Sequence, residues 1–152
     1  MKRGGDLQQN KRIFSADELV PEIKKIVDEG GVFPLVVTGI SMRPFLSPGV
    51  DTVFIEKADK NTLTCGDPVF IYRNGCAILH RIYKLTDDGF FMKGDAHIKS
   101  DGFFSYNDIV GVVKYAINEK TNKKRKLNTP LIRFLVKLNR IRIHIFNFFK
   151  GK

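Results

Sequence analysis

Three short segments bounded by glycine and proline carry the side chains best suited to covalent chemistry. They are Thr38-Gly39-Ile40-Ser41-Met42-Arg43-Pro44, then Gly66-Asp67-Pro68-Val69-Phe70 leading on to His80-Arg81-Ile82, then Lys93-Gly94-Asp95 with Asp101 six residues later. A serine hydroxyl attacks a carbonyl only when a base takes its proton and a third group orients that base. A neutral imidazole suits the base, because its ordinary pKa lies near neutrality. By residue type, Ser41 is the candidate nucleophile and His80 the candidate base, while Asp101 or Asp95 would hold the second ring nitrogen. The chemistry would be acyl transfer through a covalent intermediate. Each residue alone has a plainer reading, since serine after glycine is an ordinary turn residue and a histidine in a strand is an ordinary structural one.

The elements that must position these residues follow from hydrophobic spacing. Ser15-Ala16-Asp17-Glu18 has the form of a capping box, with Phe14 and Leu19 placed as a hydrophobic staple. Leu19, Ile23, Ile26 and Val27 continue as one helical stripe that stops at Gly30-Gly31. From Val32 the period shortens. Residues 32–38, 50–56, 68–73, 76–85, 90–93 and 109–117 are short apolar or alternating runs, which predicts a mainly β body. Asn74-Gly75 predicts a type I′ hairpin, and in its two-residue register Arg73 faces Cys76 and His80 faces Val69. Ser41 falls at an exposed strand end, because Pro44 prevents the ladder from continuing.

The net charge of +10 is unevenly placed. Residues 1–113 carry 14 basic and 15 acidic side chains, whereas residues 114–152 carry 12 and one. A near-neutral body does not suit a domain whose whole face grips nucleic acid. The chain divides into an N-terminal segment and helix (1–31), a β domain (32–118), a basic linker (119–130) and an amphipathic helix (131–152). Within the linker, residues 121–126 read as fully solvated. In the last segment Arg133, Lys137, Arg140, His144 and Asn147 fall on one helical face, and Leu131, Leu135, Leu138, Ile141, Ile145 and Phe148 on the other. Residues 131–149 therefore suit an anionic membrane surface, with packing on the β body or on a second subunit as the alternatives.

No run of about 18 apolar residues predicts a membrane span, and the first ten residues lack the apolar core of a secretory signal. The expected place is the cytoplasm or the cytoplasmic face of the membrane. Cys65 and Cys76 form neither a CxxC pair nor part of a ligand cluster, and His97 reads as an exposed loop histidine, so no metal and no cofactor are expected.

Taken jointly and in order, the three segments resemble the signal peptidase and SOS-repressor superfamily of serine peptidases. Its segments run G-x-S-M-x-P, then G-D-hydrophobic with a following base, then K-G-D with a later Asp. Bacterial type I enzymes and repressors use a lysine base, whereas the endoplasmic-reticulum-type branch has His-Arg-hydrophobic followed by K-G-D-N-N-x-x-x-D. His80-Arg81-Ile82 and the stretch from Lys93 to Asp101 are similar to that branch, and the resemblance spans about residues 32–115.

The resemblance implies a signal-peptidase-type β fold and cleavage of a peptide or leader sequence. It makes Ser41 the nucleophile, with its own N–H in the oxyanion hole, His80 the general base, Asp101 the orienting carboxylate and Asp95 a second acid. There are departures. Gly39 stands where signal peptidases often place a serine, leaving Thr38 as the nearest hydroxyl, and the usual Gly-Asp is Gly49-Val50-Asp51. The membrane anchor of signal peptidases has no counterpart here. Lys84 and Lys93 are the lysines near the three segments, and both read as ordinary solvated side chains. The alternative is a repressor-type regulatory or binding domain without peptidase activity in trans. No helix-turn-helix precedes the β body, and no Ala-Gly self-cleavage bond lies in the first 31 residues, as such regulators would require.

Overall fold

A computed structural model describes residues 15–150. The first helix, α1 (Ala16–Asp28), starts where the capping box predicts. The Glu18 N–H donates to Ser15 Oγ at 3.3 Å, and the Ser15 N–H donates to the Glu18 carboxylate at 3.0 Å. The Phe14 half of the expected staple lies outside the described residues. Of the expected stripe, Ile23 and Val27 are buried and Leu19 and Ile26 half-buried; Val20, outside it, is buried as well, and Val20, Ile23 and Val27 pack α1 onto the sheet.

The body is mainly β. Its strands are β1 (Phe33–Val36), β2 (Asp51–Glu56), β3 (Pro68–Arg73), β4 (Cys76–Leu85), β5 (Gly89–Lys93), β6 (Gly102–Ser105), β7 (Ile109–Asn118) and β8 (Lys123–Lys126). All pairings are antiparallel, in the order β1-β2-β7-β3-β4-β5-β6, and β8 pairs with the second half of β7. Side chains alternate across the sheet and feed two clusters. On β3, Phe70 joins the cluster under α1, whereas Val69 and Ile71 join a second one with Ile82, Phe90, Met92 and Phe104. The β3–β4 hairpin has the predicted turn and register: Asn74 and Gly75 both have positive φ, Arg73 faces Cys76 and Val69 faces His80.

Two parts of the tail differ from the sequence expectation. Residues 121–126 are not a free linker, because β8 pairs with β7 from Lys123 to Lys126. Arg125 Nη2 reaches the buried Asp51 carboxylate at 2.6 Å and the Phe45 carbonyl at 2.9 Å, and Leu127, just beyond the strand, is fully buried. The final helix, α2 (Pro130–Lys150), turns an unexpected side to the body. Val136 is buried, with Asn139, Arg140 and Ile143 half-buried near it, while Leu131, Leu135, Leu138, Ile141, Ile145 and Phe148 are all exposed. The apolar stripe faces outward. No helix among the described residues is long and apolar enough to cross a membrane.

Candidate active site

Strand β4 lies between β3 and β5, so a side chain near its middle is held by a ladder on each side. Strand alternation sends the neighbours His80 and Arg81 to opposite faces of the sheet. Each meets a carboxylate from the loop that follows β5. His80 Nδ1 lies 2.6 Å from Asp101 Oδ2. In a neutral ring, a carboxylate at that nitrogen favours the tautomer with the proton on Nδ1, whose Nε2 keeps its lone pair. The ring is buried, while Asp101 lies nearer to solvent.

Ser41 approaches from the other side. It sits in a turn after β1 that is anchored by the buried side chains of Met42 and Leu46 and closed by the Arg43 N–H donating to the Ile40 carbonyl. The Ala96 N–H donates to the Ser41 carbonyl at 2.8 Å, which ties the serine turn to the loop carrying Asp101. Gly94 sets the spacing. A methyl carbon added there would lie 2.6 Å from the Ser41 carbonyl oxygen and 3.1 Å from both His80 Nε2 and His97 Nδ1. The serine backbone and the free imidazole nitrogen thus flank one point that only glycine leaves open. Among the described residues, neither the Ser41 hydroxyl nor its N–H has a hydrogen-bond partner. A backbone donor and a hydroxyl are thus both uncommitted at the half-buried Ser41.

Asp95 serves a different pair. Its carboxylate is fully buried and accepts from Arg81 Nε at 2.9 Å and Nη2 at 2.8 Å in a two-pronged contact. Arg81 Nη1 donates to the carbonyls of Gly66 and Leu127, each at 2.6 Å. From α2, Asn139 Nδ2 donates to the Asp95 carbonyl at 3.1 Å, and Arg140 Nη2 lies 3.9 Å from its carboxylate. Burial lowers the Arg140 pKa, Asp95 opposes the shift and Arg81 adds to it; a guanidinium stays charged nonetheless. Of the two aspartates left open by spacing, Asp101 stands at the imidazole and Asp95 at the arginines.

Lys93 is not the freely solvated side chain expected from sequence. Its ammonium lies over the Tyr83 ring, and burial together with the charge of Arg140 lowers its pKa. Lys84 is exposed over Phe91. Cys65 and Cys76 are free and exposed. Spacing along the chain does not reveal what Gly94 and the Arg81 clamp contribute to the site. The adjacency of Gly94 to Asp95 in the third segment is the only local sign, because the other contacts join residues far apart in the chain. Compared with known proteins, the chain matches no family model and no curated protein.

Proposed function

We propose that the protein is a serine endopeptidase, similar to the endoplasmic-reticulum-type signal peptidases, that cleaves a peptide or leader sequence through an acyl-enzyme. The observation that carries this reading is the His80–Asp101 contact of 2.6 Å, with the opposite ring nitrogen directed to the glycine that abuts Ser41. His80 Nε2 takes the Ser41 proton as Oγ attacks the scissile carbonyl. The uncommitted Ser41 N–H meets the oxyanion, and a backbone donor so placed favours the charge that develops in the transition state. The imidazolium then protonates the departing amine. Water, deprotonated by the same nitrogen, releases the acyl group and restores the serine. Asp101 holds the ring and stabilises its cation throughout. Among the described residues β1 is an edge strand a few residues before the serine turn, so its unpaired side offers an extended peptide backbone partners for its own N–H and C=O groups.

The same proposal places the enzyme on an anionic membrane surface through α2. The apolar stripe is exposed, Arg133, Lys137, Arg142 and Lys150 are exposed with it, and α2 carries no acidic residue. That charge complements anionic headgroups, and each basic residue near such a surface adds about 1 kcal/mol.

Treatment with an acylating peptidyl inhibitor, followed by peptide mass spectrometry, tests the chemistry. The expected result is a covalent adduct on Ser41 that disappears in His80→Ala. Full labelling of His80→Ala overturns the assignment. Sedimentation with phosphatidylglycerol vesicles tests the surface. Binding should vanish with phosphatidylcholine vesicles and in an Ile141→Glu/Ile145→Glu variant, and equal binding to both lipids overturns it.

A further inference from the structure

The histidine that takes the proton has a second histidine beside it. His80 and His97 lie edge to face, with ring centroids 5.4 Å apart and planes at 90°. His80 Nε2 and His97 Nδ1 both border the point above Gly94, and donor atoms of His80, His97 and Asp101 lie within 4.8 Å of one another. Spacing offers no hint of this set, because His80 is on β4 and His97 is in the loop after β5.

We propose that His80 and His97 form a binding site for a divalent transition ion of the zinc type, and that its occupancy switches the serine chemistry off. Zinc binds imidazole nitrogen at about 2.0–2.1 Å, so two such ligands in a tetrahedral site stand about 3.3 Å apart. His97 is exposed on a loop, so its ring can close the remaining gap by rotation. Asp101 already accepts from the opposite nitrogen of His80, the arrangement that orients metal-binding histidines and makes them better donors. Two imidazoles favour zinc, copper or nickel over magnesium and calcium, which prefer oxygen ligands. The open coordination positions face the Ser41 turn and solvent, where water completes the shell.

The consequence for catalysis follows from one lone pair. His80 Nε2 either accepts the Ser41 proton or donates to the ion, and it cannot do both. The binding stands on the histidine geometry; the inhibition rests on the serine peptidase reading above. His97 has no part in the proposed hydrolysis, so the two functions separate by substitution.

Isothermal titration of zinc chloride into the full-length Ser41→Ala protein reads binding without any hydrolytic chemistry. Saturable binding of one ion is expected, weakened by at least about 10-fold in His97→Ala and His97→Gln, with no response to magnesium chloride. Zinc should also slow acylation of wild-type Ser41 by the peptidyl inhibitor, a chelator should restore it, and His97→Ala should acylate at the wild-type rate with or without zinc. Zinc binding that is absent, or unchanged in both His97 variants, overturns the site. Binding through His97 with undiminished acylation overturns the switch. Binding through His97 in a protein whose Ser41 never acylates leaves the ion site standing and removes the peptidase reading instead.

Discussion

His80 and Arg81 are adjacent in β4 and each takes a carboxylate from the same loop, but the two pairs are differently built. The Arg81–Asp95 pair is dry, two-pronged and crowded: Arg81 holds two further carbonyls, and a second guanidinium stands beside the carboxylate. A buried guanidinium whose three nitrogens are all engaged has little left to offer a substrate. In the His80–Asp101 pair one ring nitrogen is engaged, the other is free, and the carboxylate lies toward solvent. In the proposed mechanism the two pairs thus separate holding the loop in place from moving a proton, although the residues alternate along a single strand and a single loop.

Substitutions can break or sharpen that contrast. Ser41→Ala or His80→Ala should lower the acylation rate most, by on the order of 10⁶-fold, because members of such a set act as a unit. Circular dichroism should show an unchanged fold. Asp101→Asn should cost about 10⁴-fold in rate by favouring the wrong tautomer, with the melting temperature nearly unchanged. Asp95→Ala should do the reverse in kind. It leaves Arg81 buried and unpaired, at a cost of about 3–5 kcal/mol by urea unfolding. If Asp101→Asn unfolds the protein while Asp95→Ala only slows it, the roles are exchanged. Gly94→Ala should lower the rate by about 100-fold through displacement of the Ser41 turn from His80, since misplacement by about 1 Å has that scale of effect. An unchanged rate would show that Gly94 does not set the approach.

The smallest effect concerns a third carboxylate, Asp51. Burial opposes its ionisation, but the Arg125 hydrogen bond, the Ser47 N–H, the Arg125 charge and Asn118 together hold its pKa below the ordinary value. A lowered carboxyl pKa contributes stability above about pH 4 that is lost as the pH falls through the folded-state value. Thermal melts across that range should fall more steeply for the wild type than for Asp51→Asn, which has no carboxylate to titrate. Parallel curves would mean that Asp51 contributes no pH-dependent stability.

Much of the body was legible because its signals are local. The Ser15 cap, the Asn74-Gly75 turn and the resulting placement of His80 opposite Val69 each follow from a few adjacent residues. Strand β8 was not legible, because its four residues are all basic and it is held by backbone pairing and one inward arginine, with no apolar alternation to reveal it. Periodicity showed that α2 has an apolar stripe but not which way it would face. The direction depends on Asn139 and Arg140 meeting Asp95, a contact with no counterpart in local sequence. For the same reason, spacing could not divide the work between Asp95 and Asp101.

The hold that Asn139 has on the Asp95 carbonyl also bears on the order in which the protein becomes competent. The loop with both carboxylates leaves the ribosome before α2 does, so the nascent chain carries the proposed catalytic side chains for a time without the helix that helps to fasten their loop. The serine turn, the imidazole and the two aspartates are all synthesised before Asn139, whose amide adds a last tie to the loop that Arg81 and the Ser41 carbonyl already hold. On the proposed function, competence in such a chain is completed late, with the tail, and not when the last residue of the proposed catalytic set is made.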